Sequence, residues 1–452
     1  MNLIIREATI IDSKSPFHNQ KLDVKINSGT IEKIGSKIPN ENGFEEIKLE
    51  NLHLSQGWFD SSVSLGEPGF EDRETIANGL NVAAKSGFAA VALQPNSFPI
   101  IDNQSQINFV KNKAEGAATD LYPIGAFTKE SEGKDMAELF DMKNAGAVAF
   151  GDYNKNIDNA NLLKIGLQYV QDFDGLIIAY SQEASIKGNG VVNEGVVSTR
   201  LGLKGIPNLA EELQISRNLF LLEYTGGKLH IPTISTIKSI ELIKEAKAKG
   251  LQVTCSVAVH QLVLTDDKLE GFDSRYKVAP PLRDEATRKA LIEAVLDGTI
   301  DCITSDHNPL DIEHKKLEFD LAKDGTIGLE SAFGALQTVL PLEVIIEKLT
   351  SVKSIFGIEE NIDVANGLFS SYGPDLIVGG PYTPGQVLRV YFAENFPILP
   401  DLAGKTETEI TTIMDALGVD YSMTIETNNT VPDQTFSRYE SPNEIGTRIR
   451  DE

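Results

Sequence analysis

Histidine and cysteine are both scarce in this sequence, with six and two residues respectively among 452. Cys255 and Cys302 lie in apolar stretches, which is typical of reduced core thiols and not of a disulfide-stabilised secreted fold. Six histidines leave few candidates for metal ligation or for proton transfer near neutral pH. The composition therefore excludes the small disulfide-rich class and restricts where a metal site could lie.

Positive charge is also in short supply, because 41 Lys and Arg residues face 66 Asp and Glu, a net charge of −25. A surface this acidic argues against nucleic acid and anionic membranes as partners. No apolar run approaches the roughly 20 residues of a membrane span, and charges within the opening MNLIIREATIIDSK argue against a signal peptide. We therefore expect a cytoplasmic protein.

The hydrophobic pattern changes character along the chain and predicts its domains. Residues 1–55 contain short strand-like segments separated by Gly and Asn, typical of a small β-unit. From residue 56 to about 360, apolar strands alternate with amphipathic helices, which predicts an α/β TIM-type (β/α)8 barrel, with a doubly wound sheet as the alternative. The eight candidate strands are Trp58–Val63, Phe88–Leu93, Leu121–Phe127, Gly146–Phe150, Leu176–Tyr180, Lys228–Ile234, Gln252–Val259 and Thr299–Thr304.

Beyond residue 360 the pattern becomes rich in Gly and Pro. Residues 362–392 are a candidate to complete the N-terminal β-unit, and residues 393–452 are interpreted as a small C-terminal α/β module. The segment PDLAGKTETEITTIMDALG within that module resembles a PASTA repeat. An unusual completion of the N-terminal β-unit is the alternative for this region.

In a barrel of this kind, catalytic residues lie at the carboxyl ends of the strands. The first strand ends at Ser62 and Ser64, which alternate and so point the same way. A metal enzyme would place a His-x-His pair at such a position, whereas serine hydroxyls are neutral and weak ligands. The other strand ends carry Asn96, Asp152, Tyr180, Thr233, His260, Asp306 and His307.

Several segments in matching order resemble the dihydroorotases of the amidohydrolase superfamily, in the class with a bridging aspartate. They include GWFDSSVSLGEPGFEDRETI, KLHIPTISTIKSIELIKEAKAKGLQVTCSVAVHQLVLT and YKVAPPLRDEATRKALIEAVLDGTIDCITSDHNPL. The resemblance covers roughly residues 1 to 360. It implies the barrel fold, a role in pyrimidine biosynthesis and zinc-dependent cleavage of a cyclic amide C–N bond.

The resemblance also implies where zinc ligands would stand in this chain. The family's His-x-His pair falls on Ser62 and Ser64, and its acidic bridge falls on or beside Asp152. Its histidines on strands five and six fall on Tyr180 and Thr233. The resemblance therefore implies that the family's set of metal ligands is degenerate at these five positions in this chain. No metal cofactor is expected. The family's catalytic aspartate survives as Asp306, which is interpreted as a relic.

The resemblance assigns further positions to substrate binding. Asn96 matches a substrate contact of the family and is retained. His260 is interpreted either as facing the old pocket or as a hydrogen-bonded loop residue, and His307 beside Asp306 as a possible small-molecule contact. Gly66 stands where the family has an arginine for the substrate carboxylate, and Ala279 replaces an asparagine.

Three functions follow as alternatives. The leading hypothesis is a non-catalytic dihydroorotase homologue that acts as a scaffold or regulatory partner, with aspartate transcarbamoylase or an active dihydroorotase as the candidate partner and homo-oligomerisation expected. The second is an active cyclic amidohydrolase with a rebuilt site that uses Asp152, His260, Asp306 and His307. The third is a small-molecule sensor that keeps the pocket.

Overall fold

The computed structural model of the protein describes residues 2–41 and 43–358. The predicted C-terminal module at 393–452, its PASTA-like segment and the segment 362–392 lie outside the described residues. Within the described part, no helix is long and apolar enough to cross a membrane.

The N-terminal residues form the predicted β-unit. Its strand order is β3-β2-β1-β4, and β5 also pairs with β1. The apolar side chains of β1 and β2, with Leu3, Ile5, Val24 and Ile26 buried, make a small core of their own. The strands are β1 (Leu3–Ile11), β2 (Lys21–Asn27), β3 (Thr30–Gly35), β4 (Glu45–Lys48) and β5 (His53–Ser55).

The barrel follows, and all eight predicted strands are present in a parallel sheet with the order β15-β14-β13-β10-β9-β8-β7-β6. The first and last strands meet through a bridge between Val63 and His307, and Ser64 N donates to His307 O at 2.7 Å. A TIM-type barrel is therefore confirmed over a doubly wound sheet. The strands are β6 (Trp58–Val63), β7 (Phe88–Leu93), β8 (Asp120–Gly125), β9 (Ala149–Phe150), β10 (Leu176–Ile178), β11 (Val192–Asn193), β12 (Gly205–Ile206), β13 (Lys228–Ile231), β14 (Val253–Ala258) and β15 (Cys302–Thr304), of which β11 and β12 pair with each other.

Helices alternate with the barrel strands and cover the sheet. Polar N-caps begin several of them, and Thr236 Oγ1 accepts from Ser239 N at 3.2 Å. The helices are α1 (Ile76–Lys85), α2 (Gln104–Lys113), α3 (Leu139–Ala145), α4 (Ala160–Tyr169), α5 (Ala184–Lys187), α6 (Val196–Leu201), α7 (Leu209–Thr225), α8 (Ile237–Ala248), α9 (Val259–Val263), α10 (Glu285–Leu296), α11 (Ile312–Lys315), α12 (Ala332–Leu336), α13 (Leu342–Thr350) and α14 (Val352–Phe356). Short 3₁₀ turns occupy Lys129–Ser131, Val170–Phe173, Asp266–Gly271 and Ser274–Tyr276.

Strand alternation divides the apolar side chains between two cores. One core packs the outer strand residues, among them Val91, Ile177 and Leu229, against the helices. The other lies inside the barrel, where Phe59 contacts Tyr122 and Phe356 of α14. Cys255 and Cys302 are both free and buried, as predicted from their apolar surroundings in the sequence.

Several strands are shorter than predicted. β9 is limited to Ala149–Phe150, whereas the apolar run suggested a strand from Gly146. Gly146 adopts a left-handed conformation (φ 109°) and ends α3, so the chain turns there before it pairs with its neighbours. Hydrophobic runs thus locate the strands but not their ends.

Candidate active site

Two serines end the first barrel strand, and both are engaged in hydrogen bonds. Ser62 Oγ donates to Asp306 Oδ1 at 3.3 Å and accepts from Gln94 Nε2 at 3.1 Å. Ser64 Oγ faces the Asn96 amide, with 2.7 Å to Nδ2 and 3.0 Å to Oδ1. Side chains at the ends of β6, β7 and β15 therefore form two small hydrogen-bonded groups. This is possible because the carboxyl ends of parallel strands lie together at one rim of the barrel.

Asp306 follows the last strand and is buried in a left-handed backbone conformation (φ 50°). Burial, together with the nearby Asp60 carboxylate, raises the pKa of Asp306 to about 8, against the opposing effect of the Ser62 hydrogen bond. Below that pH the carboxyl group is mainly protonated and can donate a hydrogen bond. Asp60 itself accepts from Ser62 N at 3.0 Å and Ser305 N at 2.9 Å.

Asp152, after the fourth strand, is held by the neighbouring loop that contains Thr128. Its two carboxylate oxygens accept from Thr128 N at 3.0 Å and Thr128 Oγ1 at 2.6 Å. Burial raises the pKa of Asp152, although these hydrogen bonds oppose the shift. Its carboxylate thus supports the loop that carries Thr128.

Three further strand ends carry polar atoms without partners. Tyr180 Oη, Thr233 Oγ1 and both ring nitrogens of His260 are buried and have no hydrogen-bond partner among the described residues. Burial lowers the pKa of His260 to about 4, so its imidazole is neutral near pH 7. Burial also raises the pKa of Tyr180, which keeps the phenol protonated.

His307 is adjacent to Asp306 in sequence but turns to a different partner. Its Nε2 lies 2.7 Å from Glu74 Oε2, and its Nδ1 accepts from Gly328 N at 3.2 Å. Both ring nitrogens are therefore occupied, and the contact that ties His307 to the loop after β6 was not evident from the sequence.

Gly66 occupies a tight turn beyond β6. Its N–H donates to Glu74 O at 2.9 Å, and its carbonyl accepts from Phe70 N at 2.8 Å. A Cβ atom placed on Gly66 would lie 1.8 Å from Phe70 O, which is backbone and has no room to yield. This turn accepts only glycine in its present conformation.

A buried ionic network beside the rim was also missed by sequence reasoning. The guanidinium of Arg283, in the APPLR segment, donates to Ser235 Oγ at 3.0 Å and to Asn193 Oδ1 at 2.9 Å, and it lies 3.6 Å from Glu211 Oε2. Glu211 also accepts from Ser235 N at 2.8 Å and Ser239 Oγ at 2.7 Å. The sequence signal that could have indicated this network is the single arginine at the end of the APPLR segment.

The described residues contain no group of three or more His, Cys, Asp or Glu side chains placed to hold a metal ion. Zinc sites in proteins use three or four imidazole, thiolate or carboxylate ligands. The Asp306 side chain accepts a hydrogen bond from the Ser62 hydroxyl and lies near the Asp60 carboxylate. Two carboxylates and a hydroxyl do not make up a zinc donor set.

Comparison with known proteins finds relatives that are described as dihydroorotases. A family model described as "Dihydro-orotase-like" matches residues 53–239. The chain is 41% identical over 365 residues to a dihydroorotase of Pelotomaculum thermopropionicum, covering 79% of this chain and 85% of the relative. It is 37% identical to a dihydroorotase of Geotalea daltonii, covering 78% of this chain and 82% of the relative.

Solved structures share the fold at lower sequence identity. An L-hydantoinase (dihydropyrimidinase) from Arthrobacter aurescens matches with a TM-score of 0.70 and 21% identity, over 83% of this chain and 85% of that one. A D-hydantoinase (dihydropyrimidinase) from Thermus sp. matches with a TM-score of 0.66 and 21% identity, over 82% and 84% of the two chains.

Proposed function

Because the chain belongs to the dihydroorotase family, we propose that it is a non-hydrolytic member that serves as a structural partner in pyrimidine biosynthesis. The observation that carries this proposal is the chemistry of the barrel rim. Ser62, Ser64, Tyr180 and Thr233 stand where the family resemblance implies histidine ligands. Their hydroxyl groups are neutral and hard to deprotonate, so they are poor substitutes for imidazole in a zinc site.

Zinc is central to the reaction that the resemblance implies. A bound metal lowers the pKa of water from about 16 to about 7 and polarises the carbonyl that is attacked. The rim offers the Asp306 carboxyl group, which donates or accepts hydrogen bonds according to pH. The described residues bring no group of three or more His, Cys, Asp or Glu side chains together to hold a metal ion. Such a site lacks the means to generate hydroxide for amide cleavage.

The alternative of a rebuilt catalytic site finds little support in the contacts. Two of its four candidate residues are already engaged in hydrogen bonds with other parts of the protein. Asp152 bonds to Thr128, and His307 bonds to Glu74 and Gly328. His260 and Asp306 remain, and the neutral His260 ring has neither an orienting carboxylate nor a hydroxyl partner among the described residues. Nucleophile activation needs such a linked pair.

We predict that the purified full-length protein carries no stoichiometric zinc and does not hydrolyse dihydroorotate. Metal content is measured by elemental analysis, and ring opening and closure are followed with and without added zinc. A chelator should leave the melting temperature unchanged, because hydrogen bonds hold the rim together. The Pelotomaculum thermopropionicum relative, assayed in parallel, is the positive control. Two zinc ions per chain together with turnover would overturn the proposal.

A structural role needs a surface for a partner, and α7 offers one. Leu209, Leu213, Phe220 and Tyr224 are spaced along one side of this helix and are 53%, 48%, 69% and 76% exposed. Exposed apolar side chains grouped on one side of a helix are typical of interaction sites. This α7 stripe supports a proposal that the chain assembles with aspartate transcarbamoylase, with an active dihydroorotase or with a second copy of itself.

The double substitution Phe220→Ser and Tyr224→Ser should abolish assembly without unfolding the barrel, because both side chains are largely exposed. Mass is measured by light scattering for the protein alone, and again after mixing with aspartate transcarbamoylase and with an active dihydroorotase from the same organism. Phe109→Ser, on α2, is the control and should leave the mass unchanged. A wild-type protein that stays monomeric in every mixture would contradict the partner proposal.

A further inference from the structure

The chain between the last barrel strand and α12 contains a loop whose two ends meet at the rim of the barrel. Residues 309–325 of this loop are here called the flap. At its base, Asn308 N donates to Thr326 O at 2.8 Å, and Gly328 N donates to His307 Nδ1 at 3.2 Å. Because the flap leaves the carboxyl end of β15, it begins at the rim that carries the candidate site.

The flap reaches from the eighth barrel strand to the loops of the fifth and seventh strands. Its Phe319 side chain is buried in a small apolar cluster with Val192 and Val197, which follow the fifth strand, and with Leu269, which follows the seventh. In the ring of eight strands, the fifth lies three places from the eighth. Loops from such separated strands meet by extending over the mouth of the barrel. The flap therefore covers the mouth on the side of strands five to eight.

Electrostatics also place the flap close to the site. Burial is the main cause of the raised pKa of the Tyr180 phenol, and the carboxylates of Glu211 and Asp324 contribute to it. Asp324 belongs to the flap, and its carbonyl accepts from Asn308 Nδ2 at 3.3 Å. A charge shifts a pKa strongly only at short range, so this part of the flap lies near the end of the fifth strand.

One ammonium group joins the flap to the turn at Ser274–Tyr276, which belongs to the loop after the seventh strand. Lys315 Nζ donates to Ser274 O at 2.8 Å, to Lys277 O at 3.2 Å and to Lys323 O at 2.9 Å. An ammonium group has three N–H donors, so each donor has a carbonyl partner. The Lys315 side chain thus connects both halves of the flap to a neighbouring loop.

Apolar burial contributes less to holding the flap than these polar contacts do. Lys277 Nζ donates to Asp320 O at 3.0 Å, and Gly325 N donates to Lys277 O at 3.0 Å. Phe319 is buried, but three other large apolar side chains of the flap are exposed: Ile312, Leu317 and Leu321. Segments with few buried apolar contacts open locally at a low free energy.

We propose that the flap is a lid over the barrel mouth and that Lys315 is its latch, so that loss of the ammonium contacts opens the mouth to solvent. Lid loops over barrel mouths control the entry of water and small molecules. The inference is independent of the proposed non-hydrolytic function, because it concerns access to the rim and not the chemistry there. Its tests accordingly do not measure turnover.

Lys315→Met removes the ammonium group and keeps a side chain of similar length. Hydrogen–deuterium exchange of the full-length protein is read by mass spectrometry of its peptides. The amides of Lys323 and Gly325, which donate to His314 O and Lys277 O, should exchange at least about tenfold faster than in the parent protein. Lys316→Met, at the exposed neighbouring position, is the control and should leave exchange unchanged. Equal protection of the flap in Lys315→Met and the parent would overturn the proposal.

A reporter thiol tests whether the flap controls access to the mouth. Tyr180→Cys places a thiol at a buried position near Asp324. Its reaction with a water-soluble maleimide should be at least about tenfold faster when Lys315→Met is also present. Cys255 and Cys302 are buried and should stay unlabelled in both proteins, which shows that the barrel remains folded. Equal labelling rates at the reporter would overturn the lid, even if exchange within the flap had increased.

Chemical restoration of the ammonium group separates the latch from a general loss of packing. Lys315→Cys should resemble Lys315→Met in its exchange. Aminoethylation of the new thiol produces a side chain of lysine length that ends in an ammonium group, and this treatment should return the flap to the protection of the parent protein. The buried Cys255 and Cys302 should not react. Exchange that stays fast after complete aminoethylation would contradict the role assigned to the Lys315 ammonium group.

Discussion

Replacement of Glu211 by glutamine is expected to lower the free energy of unfolding by about 3 to 5 kcal/mol. Arg283 is 2% exposed and depends on Glu211, directly at 3.6 Å and through the Ser235 hydroxyl, which donates to Glu211 Oε2 at 2.5 Å. Glutamine is nearly isosteric but uncharged, so the buried guanidinium would lose its compensating charge while the cavity stayed filled. Urea denaturation followed by circular dichroism measures the change.

Glu223→Gln on the same helix is the control for that experiment. Glu223 is 46% exposed and lies 3.1 Å from Lys249. Exposed ion pairs of this kind contribute less than about 1 kcal/mol. The two substitutions therefore alter the same chemical group in one helix and differ in burial. Equal effects would show that the Arg283 network does not stabilise the barrel as its geometry indicates.

The second large effect concerns metal binding. The combined substitutions Ser62→His, Ser64→His, Tyr180→His and Thr233→His should create a zinc site with Asp306, because the barrel sets the direction of each strand end. Three or four imidazole and carboxylate ligands are the normal zinc complement. The left-handed backbone at Thr233 favours the change, since histidine adopts positive φ more readily than a β-branched residue.

The expected result is stoichiometric zinc in the fourfold variant and none in the parent protein. At a zinc concentration about 100 times the dissociation constant, binding would stabilise the fold by about 2.7 kcal/mol, so the melting temperature should rise with zinc. Addition of Asp306→Asn removes a charged ligand and should weaken binding more than tenfold. A folded fourfold variant that binds no zinc would show that these side chains do not converge.

Hydrolysis should not return with the metal. The resemblance places the carboxylate-binding arginine of the family at Gly66, and a Cβ at that position would meet the Phe70 carbonyl oxygen at 1.8 Å. An arginine there requires the turn between Gly66 and Glu74 to move. The turn is also tied to the last strand by the His307–Glu74 contact, so restoring the substrate site takes more than restoring ligands.

The barrel could be predicted from local pattern because each apolar run must be buried whatever its neighbours do. The runs at Trp58–Val63 and Phe88–Leu93 match the structure to the residue. The exact ends of the strands were harder to predict, because pairing with neighbouring strands decides where a strand stops. At β9, for example, the left-handed Gly146 ends α3 and the strand does not begin until Ala149. The residues at the strand ends could likewise be named, since their position follows from strand order.

The sequence alone determined the fold class, the dihydroorotase resemblance and the identity of the side chains at the rim, because all three depend on residue type and order. Only the tertiary structure decided which of those side chains have partners. His307 meets Glu74 across 233 positions and Ser62 meets Asp306 across 244 positions, whereas Tyr180, Thr233 and His260 meet no partner among the described residues. Such contacts depend on distances of a few ångströms between distant segments, which packing sets and local sequence does not.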